Sequence, residues 1–391
     1  MFDTTSSNTG KNKGAVPLLE ELINRKVFYN ACRHHIYELV IREVWKCLFG
    51  STTTGPENTD FNTFKKKWKH IDKSRSYKTL KFIEGSWLAM KADEAKQEII
   101  PLMKPNDGKQ KEVLIRDDYR ECATGTLAIL DDKYVDHRFR KPGATHSVRW
   151  MSQVLYCQKM FMWSVQMDYS EEFIEKLERI NTFIALFYVP AWLKTGIACD
   201  APWNDLKFLH DMKNFSLCDL TVADVAYKKL RKHHWYLTEE MVVFTMFSAN
   251  PKVPDNLKEA MAAKLLKMPI PEKFRRGMPL SLISDSVSES MSMVDLIGPE
   301  SWFLFDAIHV EHDWLSLPVS EWHTDPDFVT AQEFVNTVEV VNDAAERMVK
   351  LNTDYAAFIT DDKKQRASLL QAVEDHRNRY ADFSKATISS T

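Results

Sequence analysis

Residues 26–50 read KVFYNACRHHIYELVIREVWKCLFG, and both secondary-structure periods meet inside that stretch. Val27, Phe28 and Tyr29 are β-branched or aromatic and make the best strand candidate in the chain. Directly after them Ile36, Leu39, Val40, Val44 and Leu48 recur at the spacing of one helix face. The run FGSTTTGPENTD then stops that helix with Gly, Thr and Pro. A strand feeding a helix is an α/β signal, so the flanking sequence decides the fold class.

Outward from this stretch the helical period dominates. A short helical pattern, AVPLLEELINR, precedes it. Further patterns cover about 116–130, 148–166, 171–193, 220–233, 238–247 and 256–266. The longest spans about 327–359, with Phe334, Val338, Val341, Ala345 and Met348 in one apolar stripe. A last amphipathic pattern begins near Asp362, and no internal repeat is found. The chain therefore reads as mainly α with one or two short strands.

A length of 391 residues suits a substantial core, in two domains or one large one. The hydrophobic share of 44% and charged share of 27% are those of a globular protein. Fifty-two basic residues against 55 acidic ones leave a net charge of -3, so any nucleic-acid binding must come from local patches. Eleven tryptophans and 22 phenylalanines suit large packed interfaces between helices. Cys32, Cys47, Cys122, Cys157, Cys199 and Cys218 are scattered without zinc-ribbon or disulfide spacing, which points to reduced intracellular thiols. The most apolar run, 183–193, is broken by Pro190 and falls short of the ~20 residues that span a bilayer. No signal peptide is read, and a soluble protein without a membrane partner is expected.

The strongest local charge lies in FKKKWKHIDKSRSYKTLKF, residues 64–82. Lys65, Lys66, Lys67, Lys69, Lys73, Arg75, Lys78 and Lys81 face one acid, Asp72, with Trp68 and Tyr77 interleaved. That is the best candidate for a nucleic-acid surface, and a solvated helix face is the plain alternative. YKKLRKHH, residues 227–234, has the same two readings. Cys32 and His35 are too few for a closed zinc site, and they read as a buried thiol and a hydrogen-bonded imidazole beside a more exposed His34. Trp150 is either a core residue or a partly accessible ring shortly after the Pro142-Gly143 turn.

Four spaced motifs, taken in order, resemble the landmarks of hAT-type DNA transposases: Asp3 in FDTTSSN, Cys32-x-x-His35 in CRHH, Arg149-Trp150 in VRW, and Glu346-Arg347 in NDAAER. The stretches DTTSSNTG, ACRHHIYEL, PGATHSVRWM and VNDAAER also look like a group of transposase-like proteins. The resemblance covers nearly the whole chain. It implies an RNase H-like core whose Asp-Asp-Glu acids hold two divalent metals, with a large helical insertion before the Glu. It makes Asp3 the second Asp and Glu346 the Glu, both catalytic and metal-binding. It makes Arg149 and Trp150 DNA contacts, the ring stacking on an unpaired base for ~1–3 kcal/mol. Arg138 and Arg140, with Lys65, Lys66, Lys67 and Lys69, would hold phosphates, while Cys32 and His35 would be structural.

The expected fold is thus mainly α, a large all-helical body attached to an incomplete RNase H-like α/β core with one or two short strands. Residues 1–50 would be a partial core and 51–145 a basic, loop-rich helical segment. Residues 146–320 would form an all-helical insertion-type domain, and 321–391 C-terminal helices completing the core. The helix carrying Glu346 is expected to pack across residues 27–30, towards Asp3.

Only two residues precede Asp3, so the family's first Asp, early strands and N-terminal zinc finger have no counterpart, and the chain looks like the C-terminal part of a transposase. Two acids of three cannot hold two metals in working geometry. The expectation is a transposase-derived protein with residual DNA binding and no strand transfer, binding Mg²⁺ or Mn²⁺ weakly at most. Activity as a metal-dependent nuclease would need the missing acid from elsewhere. A homo-oligomer is left open, and the location is nuclear if DNA is bound. The alternative is a helical scaffold or interaction protein with no nucleic-acid role.

Overall fold

The computed structural model describes residues 14–50, 58–73, 75, 77–103, 117–131, 133, 139–143, 150–233, 235–275 and 291–341. These residues are mainly helical, and no β-strand forms among them. The first five helices are α1 (Ala15–Ile23), α2 (Arg33–Phe49), α3 (Thr59–Lys67), α4 (Trp87–Met103) and α5 (Asp117–Leu130). Next come α6 (Trp150–Met162), α7 (Glu171–Phe183), a π-helical turn (Ile184–Tyr188), α8 (Val189–Leu193), α9 (Ala201–Phe215) and α10 (Leu220–Arg231). The last five are α11 (Glu239–Val242), α12 (Asp255–Leu265), α13 (Phe303–Ile308), α14 (Val319–Trp322) and α15 (Pro326–Thr337).

Local chemistry sets many of these ends. Asn58, Ser170, Asp219 and Asp325 cap α3, α7, α10 and α15 by accepting backbone N–H groups that the first turn leaves unpaired. Gly50 ends α2 in the left-handed region at φ 69°, where its N–H donates to the Lys46 carbonyl at 2.9 Å. The expected stop after residue 49 is where the helix stops.

α2 is the axis of the packing. It lies against α10, α6 and α7, while α9 backs α10 and α5 sits between α4 and α6. Val40, Ile41, Val44 and Trp45 are fully buried on it, and Trp45 meets Phe61 of α3 at 4.7 Å between ring centroids. Each such side chain removed from water contributes ~1.5–3 kcal/mol. One continuous apolar core runs through the described residues from Ala31 to Val340.

Three sequence expectations differ from the structure, and two helices answer to none. The strand at Val27–Tyr29 is an extended segment without a ladder: Val27 N–H goes to the Glu20 carboxylate at 3.2 Å, and Phe28 wedges against Phe303 at 4.7 Å. Aromatic side chains there fill a gap between helices instead of covering a sheet. The long helix from 327 ends at Thr337, because Val338 turns extended at ψ 113° and β-branched Val340 and Val341 follow. The pattern at 171–193 is split by the π-turn, since Pro190 has no N–H for the Leu186 carbonyl; instead Val189 N–H donates five residues back, to Ile184. Helices α4 and α9 answer to no pattern read from the sequence. The buried side of α9 carries Asn204 and Asp205 among its apolar residues, which breaks the stripe that a sequence pattern detects.

Among the described residues no helix is long and apolar enough to cross a membrane.

Candidate nucleic-acid interface

The basic stretch folds as α3 and a following 3-10 turn, Trp68–His70. Phe61, Phe64, Trp68 and Ile71 recur three and four residues apart, and all four are buried. That fixes the opposite side for the lysines. Lys66 and Lys69 are exposed, and Lys65 and Lys67 are half-buried. Lys67 donates to Asp168 at 2.8 Å, and this bond holds the Asp168 carboxyl below its ordinary range. Arg75 pairs with Asp72 at 3.2 Å and Lys78 with Glu178 at 2.9 Å. Lys65, Lys66 and Lys69 form no ion pair among the described residues, so theirs is the uncompensated charge of this face.

Trp68 does not offer its ring to a base. It is 5% exposed, meets Trp163 edge-on at 5.2 Å, and has the Lys73 ammonium 4.5 Å from its ring centroid. Tyr77 is half-buried against the core. The aromatic rings of the stretch are packing, and only its charge faces outward.

Of the residues expected to hold phosphates nearer Trp150, Arg140 is described. Its guanidinium pairs with Asp117 at 2.7 Å, its N–H donates to Glu121 at 2.8 Å, and its carbonyl accepts from Lys159 at 2.9 Å. Burial lowers the Lys159 ammonium's pKa against the opposing pull of Glu121, 2.6 Å away. Arg140 is thereby tied to the start of α5. Trp150 opens α6, and Tyr156 on the same helix donates to the Gly143 carbonyl at 2.9 Å, anchoring the Pro142-Gly143 turn. Asp3, Arg138, Arg149, Glu346 and the side chain of Trp150 lie outside the described residues.

The CRHH motif is resolved in detail. Cys32 is buried at the start of α2. The two histidines exchange the roles expected of them: His34 is buried and stacks on Trp192 at 4.7 Å, while His35 is part-exposed, with Nδ1 3.8 Å from the Glu38 carboxylate. His35 shares a helix side with Glu38, Arg42 and Lys46, a polar phase visible in the sequence. No group of three His, Cys, Asp or Glu that could hold a metal occurs among the described residues.

Between Cys32 and His34 stands the residue that sequence reasoning passes over. Arg33 is fully buried and ion-paired to Asp205 of α9, with a weaker bond to the Thr195 carbonyl at 3.4 Å. Its guanidinium lies 5.5 Å from the Tyr236 ring centroid and 5.9 Å from that of Tyr37. Burial works hardest against the Arg33 charge, but Asp205, Tyr37 and Tyr236 together outweigh it and the guanidinium's pKa rises. Burial pushes the Asp205 carboxyl up, against the pull of Arg33. The charged pair is the state the geometry supports, because arginine does not give up its proton in proteins. Arg33 falls in phase with Tyr37, Val40 and Val44, which is the signal that marks it as inward-facing.

The backbone of the same residue makes a second long-range link. Arg33 N–H donates to the Val340 carbonyl at 2.9 Å, joining the CRHH motif to the far end of the described chain. Comparison with known protein families, with characterised proteins and with solved structures finds no match to this chain.

Proposed function

We propose that the chain is a transposase-derived protein of hAT type that binds DNA through the face carrying Lys65, Lys66 and Lys69 and is catalytically incomplete. The observation that carries the reading is the Arg33–Val340 hydrogen bond. It sets the segment leading towards Glu346 against the Cys-x-x-His motif, two stretches that the resemblance to hAT transposases assigns to one incomplete RNase H-like core. The uncompensated lysines of α3 supply the contact to phosphate, and binding is electrostatic and sequence-tolerant. Any Mg²⁺ or Mn²⁺ bound at Asp3 and Glu346 is held weakly, and the reading includes no metal-dependent step.

The test is fluorescence anisotropy of the full chain on hairpin and branched DNA over a range of salt. The logarithm of affinity should fall linearly with that of salt, with a slope of about 0.9 per neutralised phosphate. Reversing Lys65, Lys66 and Lys69 to Glu should reduce both affinity and slope, by ~1 in slope for each phosphate no longer neutralised. Binding that ignores both salt and reversal overturns the proposal. The second reading, a helical interaction protein, is favoured by the burial of Trp68 and by the apolar side of α1, where Leu18 and Leu22 are 51% and 81% exposed. It is the reading left standing if no DNA is bound.

A further inference from the structure

A cleft lies between α4, the π-turn with α8, and α9, and no lysine of the proposed DNA face lines it. Its volume of about 30 Å³ has room for one or two water-sized groups. Leu186, Phe187, Pro190 and Phe208 form its apolar side. Leu186 and Phe187 belong to the widened turn enforced by Pro190, a distortion that recurs at functional sites.

The polar side pairs lysines with carboxylates. Glu98 takes Lys194 on one carboxylate oxygen at 2.5 Å and Lys252 on the other at 2.6 Å. Asp211 takes Lys91 at 2.9 Å and Lys207 at 2.8 Å, again on separate oxygens. Lys91 also reaches Glu94 at 2.9 Å. Both inner carboxylates are thus occupied on each oxygen, whereas an ammonium has three N–H donors and Lys194 and Lys207 each use one in these pairs. Lys91, Lys194 and Lys207 of the lining equal Glu94, Glu98 and Asp211 in number, and Lys252 reaches Glu98 from outside the cleft. Burial lowers the Lys194 pKa even beside Glu98.

Asn204 supplies the independent observation. It lines the cleft at 6% exposure, and its side-chain Nδ2 has no hydrogen-bond partner. Buried donors are seldom left unpaired, and this one shares the cleft with ammonium groups that have N–H donors to spare.

We infer that the cleft binds a small oxyanion, the carboxylate or phosphate end of a small acidic molecule, with Asn204 Nδ2 and the spare N–H groups of Lys194 and Lys207 donating to it. Phe187 and Phe208 border the part of the ligand next to the charged end. The site is separate from DNA binding through α3 and does not rest on it.

The experiment is calorimetric titration of the full chain with inorganic phosphate and with acetate, using chloride at matched ionic strength as control. Saturable one-site binding of phosphate, acetate or both is expected, and the stronger binder identifies the source of the oxyanion. Asn204→Leu and Lys194→Met should each weaken it by ~10-fold or more, the loss of one charge-assisted hydrogen bond. The Lys65, Lys66 and Lys69 reversals should leave it unchanged. Asn204→Leu removes an unpaired buried donor and should fold; if it does not, Lys194→Met decides. No saturable binding of either anion at millimolar concentration, or wild-type affinity in the folded variants, overturns the inference.

Discussion

Removing Asp205 leaves the Arg33 guanidinium charged and fully buried, facing a carbonyl at 3.4 Å and the faces of two tyrosines. Breaking a buried pair in this way costs about 3–5 kcal/mol, because the stranded charge loses its partner but keeps its desolvation penalty. Asp205→Ala should therefore destabilise the protein by ~4 kcal/mol. The double variant Arg33→Met/Asp205→Leu should behave very differently. Even with the pair intact, Arg33 Nε has no hydrogen-bond partner, so the polar arrangement is incompletely satisfied. Replacing both members with apolar groups of similar volume is neutral or stabilising by ~1–4 kcal/mol in comparable sites. The assay is urea unfolding followed by tryptophan fluorescence and far-ultraviolet circular dichroism, reading the midpoint at unchanged slope. A loss below ~1 kcal/mol for Asp205→Ala would put the pair on a par with an exposed one and exclude a stranded buried charge. A double variant as unstable as the two single losses added would refute the reasoning too.

Three shorter expectations follow. Burial holds the His233 imidazole at about 4, with Lys229, His35 and Lys232 adding to the effect, against 6.5 for the ordinary group. The unfolded chain then binds a proton that the folded one refuses, so this stability is complete above pH 6.5 and drains away as the pH falls towards 4. A stability profile of His233→Gln with the same acid slope as the wild type would contradict it. Trp68→Ala should cost ~3–5 kcal/mol in thermal unfolding while leaving the salt slope of DNA binding unmoved, as suits a core ring and not a stacking platform. Gly125→Ala should lose stability despite the better helix former, because the new Cβ would stand 2.7 Å from Gln158 Oε1. The propensity gain of ~1 kcal/mol is outweighed by overpacking of ~1–3 kcal/mol, and a higher urea midpoint would show that Gln158 yields.

The helices are legible in the sequence wherever one apolar stripe runs unbroken. α2, α5, α10 and α12 fall close to their expected places, and Gly50 stops α2 as its residue type suggests. The pattern fails where burial is polar or irregular. In α9 the residues that face inward include Asn204 and Asp205, and the latter's partner Arg33 is remote in sequence. Phe28 resembles a strand residue because aromatic side chains suit pleated surfaces, yet an extended segment becomes a strand only beside another. The lysine face is legible as charge, but the inward turn of Trp68 requires the phase of Phe61 and Phe64 to be read together with it. His34 and His35 exchange places because α2 is buried on nearly every side, which leaves its narrow polar stripe as the sole guide to phase.

The central position of α2 has a consequence for synthesis. Tyr37 accepts from Tyr188 at 3.1 Å, Arg33 needs Asp205, Ala31 accepts from Tyr236, and Arg33 N–H waits for Val340. Each partner leaves the ribosome long after α2 does. At ~5–20 residues per second, that helix and its unpaired arginine spend roughly ten seconds or more without the surfaces that cover them. The helices that cover α2 most extensively all start at or after Trp150, so its apolar face stays in water until they emerge.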